Sequence, residues 1–298
     1  MIEISVIGPV CVRVDGQVVS GLSGKQRQIL AILALDAGSA VSKTRLADLL
    51  WQGSPPVSSV ATLDSYVCVL RRRMGLRAGR TSELATTDAG FRLDASQDVR
   101  IDLTAFREMA RTAHDAPSAV VLTCAEQALD LVQGELVADV PYADWAVRAR
   151  DSFRQDVVGL GLRGAQRANA LGESARAERL ARAATDRDPL CEEAWRQLML
   201  AHWFGGRRAS AVAAYGELRG AMAEILGDEP GEDCHQLYLT ILRDTSQTGT
   251  QSGTDSRFEL RALLRLLRQA LDCTPGMQAP ARDAALSQAA VRALATVS

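Results

Sequence analysis

Lysine is nearly absent from this chain: Lys25 and Lys43 stand alone among 34 basic residues. Arginine and alanine take its place, a bias that fits a G·C-rich coding sequence and carries no functional content. No uninterrupted apolar run of about 18 residues occurs and no charged-then-apolar leader opens the chain, so neither membrane spanning nor export is expected. The six cysteines, at positions 11, 68, 124, 191, 234 and 273, form no C-x-x-C pair and no Cys/His cluster with zinc-ligand spacing. Buried free thiols and no bound metal are expected. The phosphate loop G-x-x-x-x-G-K-[ST], the G-x-S-x-G elbow and H-E-x-x-H are missing too. His114, His202 and His235 stand alone with no acidic or cysteine partner at fixed spacing. The expectation is a non-enzyme with no catalytic residue and no cofactor.

What is present suits two domains. The 298 residues with 47% apolar content can bury two cores. Charge is uneven: residues 1–93 carry 11 basic and 7 acidic residues, net +4, and residues 94–298 carry 23 and 29, net −6. The net −2 of the whole is unhelpful for holding a polyanion, but phosphate attraction acts over about 8 Å at physiological salt, so the local patch decides.

Residues Ile2 to Val19 alternate apolar and polar positions around Gly8-Pro9 and Asp15-Gly16, which predicts three short strands. Gly24 to Asp36 reads as a first helix stopped by Gly38. Val41 to Trp51 reads as a second, with Ser42 as N-cap and Leu46, Leu49 and Leu50 on one side. Pro55-Pro56 then breaks the chain before a third helix that starts near Ser58 or Ser59. Leu84 to Leu93 predicts two strands about Asp88-Ala89-Gly90.

The third helix, Ala61 to Met74, is the most informative stretch. Val60, Leu63, Val67 and Leu70 recur at helical spacing and are expected to face a core. That leaves Thr62, Ser65, Tyr66, Val69, Arg72 and Arg73 on other faces. Three terminal arginines also suit a plain solvated helix, where they complement the negative end of the dipole, so the order of elements around it has to decide. A winged helix-turn-helix arranges strands, helices and hairpin in this order.

Leu63 to Arg73 resembles the recognition helix of response-regulator effector domains, and Gly90-Phe91-Arg92-Leu93 resembles the end of their wing. Asp102 to Asp244 resembles a bacterial transcriptional activation domain, through Asp139 to Trp145, Asp188-Pro189 to Trp195, and Ile225 to Gly231. Together the chain is similar to the Streptomyces antibiotic regulatory protein family over about four fifths of its length. The expected fold is mainly α: an N-terminal winged helix-turn-helix (α+β) at 1–94, then an all-α tetratricopeptide-like repeat domain at 100–244.

The resemblance implies a sequence-specific DNA-binding activator of a secondary-metabolite (antibiotic) gene cluster, cytoplasmic and nucleoid-associated. It would bind double-stranded DNA at direct-repeat promoter sites as a homo-oligomer and recruit RNA polymerase including sigma factor. In a helix-turn-helix the third helix enters the major groove, so Ser59, Thr62, Ser65 and Val69 are the base-reading candidates. Arg71, Arg72, Arg73, Tyr66 and Trp51 are the phosphate candidates, with Lys25 either a flanking phosphate contact or a plain surface residue, and Thr86, Thr87 and Arg92 on the wing. Cys68-Val69 stand where the family often has Ser-Arg, and Thr87-Asp88 where it often has a basic wing residue. Both departures remove DNA-holding groups and imply weak binding by a single copy.

The second half also carries a repeat. Ala177 and Ala211 lie 34 positions apart, and Trp195, Leu198, Ala211 and Tyr215 fall at tetratricopeptide-like offsets, with Pro189 between helix pairs. Trp195 and Tyr215 read as core, and either Tyr142 or Trp145 as the anchor of the Gly134 to Pro141 connector. The polar run at 245–256 predicts a flexible linker, and 257–298 a helical tail that docks on its own protein or a second copy rather than on a membrane. Two other functions stay open: a helical-repeat protein-interaction scaffold, and a ligand-gated regulator.

Overall fold

Alternation at the N-terminus builds a sheet edge against the first core. In β1 (Ile2–Ser5), Ile2 and Ile4 turn inward while Glu3 and Ser5 are half-exposed. β2 (Cys11–Val14) pairs antiparallel with it, Ile4 opposite Val12, and β3 (Gln17–Val18) follows through the Asp15-Gly16 turn. The computed structural model describes residues 1–115 and 118–244 of the chain. The expected linker at 245–256 and tail at 257–298 therefore lie outside the described residues, as does Cys273.

Three helices form the centre of the N-terminal part. Ser23 caps α1 (Gly24–Leu35) in a capping box with Gln26, and the Ser42 hydroxyl accepts from the Arg45 amide to cap α2 (Lys43–Leu50). α3 (Ser59–Met74) stops at Gly75, whose left-handed backbone (φ 70°) returns its N–H to the carbonyls of Arg71 and Arg72. Leu30, Leu33, Leu46, Leu50, Leu63 and Leu70 fill the space between the three. On α2 the buried side is Leu46, Ala47 and Leu50, not Leu49, because Ala47 and Leu50 flank the line that Leu46 sets.

The hairpin of β5 (Leu84–Thr87) and β6 (Gly90–Leu93) gains a third strand not expected from the sequence, β4 (Ala40–Val41), which pairs with β6 through Ala40–Arg92 and Val41–Phe91. Gly90 makes that crossing possible: at φ 136°, a Cβ there would lie 2.0 Å from the Val41 carbonyl oxygen.

Residues 94–100 do not simply separate the two halves. β7 (Val99–Ile101) runs parallel to β1, giving the order β3-β2-β1-β7. It leads into α4 (Asp102–Asp115), where the Asp102 carboxylate accepts from the amides of Val6 and Ile7 at 2.9–3.0 Å. Burial raises the pKa of this carboxyl, outweighing the amide donors that favour its charge. The connector at 134–141 also returns to the first sheet: Val137 N–H donates to Val6 O, and Asp139 accepts from Val10 N–H and pairs with Arg27 at 3.1 Å. An Arg107 guanidinium N–H reaches the carbonyl of Leu35 at the end of α1 at 2.7 Å.

The helical part continues with α5 (Ser118–Asp130), α6 (Asp144–Ala170), α7 (Ser174–Arg187), α8 (Glu192–Phe204), α9 (Arg208–Ile225) and α10 (Glu232–Arg243). Met1–Cys234 packs as one unit, and the described residues 235–244 fall outside it. Ala177, Ala181, Ala184 and Ala211 are buried, as the repeat pattern requires. Gly161 and Gly164 of α6 bring α7 closer still, since a Cβ at Gly161 would lie 2.8 Å from Leu180 O. Trp195 and Tyr215 are core residues, and the Trp195 indole N–H donates to Pro189 O at 2.9 Å, locking the joint between helix pairs. Asn169 of α6 donates to both the carbonyl and the side-chain oxygen of Gln197 on α8. Trp145 is the buried anchor of the connector, whereas Tyr142 is 89% exposed.

The thiols differ from expectation. Cys234 is buried, but Cys68 is exposed and Cys11, Cys124 and Cys191 are half-exposed. Cys68 follows the buried Val67 by one residue, and a helix turns by about 100° per residue, so it faces solvent. Among the described residues no group of His, Cys, Asp and Glu has the disposition of a metal site, and no helix is long and apolar enough to cross a membrane.

Candidate nucleic-acid interface

α3 buries Ser59, Leu63, Val67, Leu70 and Met74 in a single stripe. This phase corrects the first turn. Ser59 is only 8% exposed and Val60 is 45% exposed, the reverse of what their polarity suggests. The stripe runs back from Leu63 by four residues, which lands on Ser59, so that hydroxyl is withdrawn from the surface and Val60 joins the fully exposed Val57 at the open end.

The solvent side carries Ser65 and Cys68 exposed, with Thr62, Tyr66 and Val69 half-exposed beside them. Two of these hydroxyls are already oriented. Thr62 Oγ1 donates to Ser58 O at 2.9 Å and Ser65 Oγ to Ala61 O at 3.0 Å. Their protons are spent within the helix, so outward they act as acceptors, matched to the amino groups of adenine or cytosine in a major groove.

The three terminal arginines separate into two kinds. Arg72 and Arg73 are exposed, with no ion pair among the described residues. Arg71 is turned into the fold: Nε donates to Leu84 O at 2.8 Å and a terminal nitrogen to Thr86 Oγ1 at 2.7 Å. Desolvation lowers the pKa of its guanidinium. Arg71 and Thr86, both sequence candidates for DNA, are thus brought together as a tie between α3 and the wing.

Lys25 is likewise engaged, its ammonium donating to Leu50 O and lying 5.6 Å from the Trp51 ring centroid. It satisfies a carbonyl at the end of α2, so its role in the fold is to clasp α1 to α2. On the wing, Thr87 Oγ1 donates to Gly90 O at 3.2 Å, and Arg92 pairs with Asp94 at 2.8 Å. Lys43 pairs with Asp64 at 2.6 Å and stands over the Phe91 ring, fastening α2, α3 and wing together.

Arg45, exposed in the first turn of α2 and without an ion pair among the described residues, is a further cation on this surface that the motif around α3 does not point to. The one signal in the sequence is an arginine just after an N-cap, a position mildly unfavourable for a cation because of the helix dipole.

Comparison with known proteins bears on this geometry. Residues 17–93 match the family model described as transcriptional regulatory protein, C terminal, and residues 101–242 match the bacterial transcriptional activator domain. The regulatory protein DnrI of Streptomyces peucetius is 31% identical over 253 residues, 81% of this chain and 92% of DnrI. The regulatory protein AfsR of Streptomyces coelicolor is 29% identical over 96% of this chain, which spans 30% of AfsR. The chain belongs to the Streptomyces antibiotic regulatory protein family. Its fold is also that of Mycobacterium tuberculosis EmbR, solved in complex with a low affinity phosphopeptide, at a TM-score of 0.66, 24% identity and 91% coverage of this chain.

A member of this family is a DNA-binding transcriptional regulator of the activator type, built from a winged helix followed by a helical-repeat part. The winged-helix elements expected from the sequence are present, with β4 in addition, and the partners of such a regulator are DNA and the transcription machinery.

Proposed function

We propose that this chain activates transcription of a secondary-metabolite gene cluster by laying α3 in the major groove of directly repeated promoter half-sites, as two or more copies. Thr62, Ser65 and Val69 face the base edges, with the wing residues Thr87 and Arg92 beside the flanking backbone. Arg72, Arg73, Tyr66 and Trp51 hold phosphates, and Arg45 joins them from α2. Ser59, Lys25, Arg71 and Thr86 are left out of the contact set because the fold already uses or encloses them. The supporting observation is the exposed, short-chain face of α3, closed at its end by Arg72 and Arg73, exposed and without an ion pair among the described residues.

Short side chains give modest discrimination per base, so affinity has to come from adjacent copies. The helical-repeat part then holds RNA polymerase with its sigma factor at the promoter, acting at the nucleoid in the cytoplasm. A favourable contact of 1.4 kcal/mol suffices, because it raises occupancy about tenfold while the promoter is unsaturated.

Genome-wide binding followed by footprinting identifies the sites, and gel-shift titration on one, two and three half-sites tests the reading. Binding that steepens and tightens with each added repeat is expected. Tight one-to-one binding to a single half-site, or indifference to all duplexes at low ionic strength, would refute it.

A further inference from the structure

The face of α3 opposite its buried stripe is made of Ala61, Ser65, Cys68 and Arg72, all exposed, with Asp64 exposed at its edge. An acid is out of place on the helix that meets DNA, because carboxylate and phosphate repel. Its charge is answered by Lys43 of α2, whose ammonium donates to Asp64 Oδ1 at 2.6 Å. Lys43 is itself held, 5.2 Å from the centroid of the buried Phe91 ring. The pair leaves one carboxylate oxygen over: Oδ2 has no hydrogen-bond partner among the described residues, and the Asp64 side chain is 48% exposed. Lys43 therefore cancels the charge that would repel phosphate and also orients the carboxylate, so less rotamer freedom is lost on contact.

The neighbouring groups set the polarity of this surface. Thr62 and Ser65 have spent their protons on Ser58 O and Ala61 O, so with Asp64 they offer acceptors outward. Acceptors fit bases that present amino groups in the major groove, cytosine through N4 and adenine through N6. A carboxylate separates these two. The adenine amino group stands beside the N7 acceptor, which repels a carboxylate, whereas cytosine has only C5–H beside N4. Guanine and thymine present acceptors at the same edge and are refused.

Given α3 in the major groove, as proposed above, we infer that Asp64 is a base-reading residue that selects cytosine at one position of each half-site. Its free oxygen accepts from N4, and Lys43 is the residue that positions and neutralises it.

Selection of binding sequences from a randomised duplex library, run with the full chain and its variants, tests this. The parent is expected to enrich a half-site with one cytosine position that Asp64→Ala erases, lowering preference there about tenfold and leaving the other positions unchanged. Asp64→Asn keeps the shape and turns one acceptor into a donor, so preference at that position should pass to adenine, whose N6 and N7 suit an amide. Lys43→Met should weaken binding to all sequences and blunt the cytosine preference without moving it to another base, because it uncovers the negative charge but keeps the reader. An exposed ion pair contributes little to stability, so the variants should melt near the parent, and melting curves identify any that does not. Identical base preferences for the parent, Asp64→Ala and Asp64→Asn would make Asp64 a tie within the fold only, overturning the inference with DNA binding intact. A parent chain that enriches no duplex would overturn the groove reading and the role of Asp64 with it.

Discussion

Replacing Arg71 separates a group that touches DNA from one that builds the surface touching it. Its guanidinium makes bonds of 2.8 and 2.7 Å to Leu84 O and Thr86 Oγ1, linking α3 to the wing. Hydrogen bonds from a charged donor contribute about 1.5–3 kcal/mol each. Thr86 is half-exposed and can turn to water, and Arg71 itself is half-exposed, so the pair together is discounted to about 2 kcal/mol. Arg71→Ala should therefore lower the melting temperature by about 4–8 °C for a protein of this size. Arg71→Lys should lose nearly as much, because one ammonium cannot span both acceptors. Differential scanning calorimetry reads the first effect, and DNA titration at several salt concentrations reads the second. Affinity should fall as the wing loosens, while the slope of log K against log salt stays unchanged. A variant that melts as the parent does but whose slope drops by about 0.9 would show Arg71 to be a phosphate ligand after all.

Arg72→Ala and Arg73→Ala should do the opposite, each reducing the salt slope by about 0.9 across all DNA sequences with no change in melting temperature; an effect confined to one base position would reassign them. Gly90→Ala should cost at least about 3 kcal/mol through a clash 2.0 Å from Val41 O, reading out as a chain that melts far lower or fails to accumulate, and a near-native melt would refute the β4–β6 crossing. Glu126 bonds to Arg176 and Arg179, and the hydrogen bond from Arg176 is the main reason its carboxyl titrates below the usual range. Its stabilisation is complete above the unfolded pKa near 4.5 and is lost as pH falls through the lower folded value. Glu126→Gln should accordingly lower the melting temperature at pH 7 and flatten its decline toward pH 3, whereas parallel curves for variant and parent would remove this pair from the acid response.

Element type and order were legible because local signals carry them. Ser23 and Ser42 cap their helices, Pro55-Pro56 forces the turn before α3, and Leu63, Val67 and Leu70 mark the buried side of α3, none of which needs a distant partner. Polarity alone misled at Ser59 and Val60, where the phase set by Leu63, Val67 and Leu70 turns Ser59 inward and Val60 outward. It also left Cys68 misplaced, because a thiol carries no periodic signal strong enough to choose a face.

The sequence by itself determined a winged helix followed by stacked helices, since hydrophobic period, caps and turns act within a few residues of each other. Only the tertiary structure decided which cations remain available. Lys25 and Arg71 carry the same charge as Arg72 and Arg73, yet their partners Leu50, Leu84 and Thr86 appear only when the chain folds, and a cation already donating to a carbonyl has given up donors that a phosphate would need. The same is true of the joint between the two halves, where Asp102 and Asp139 find the amides of Val6, Ile7 and Val10, just after β1 and about a hundred residues earlier.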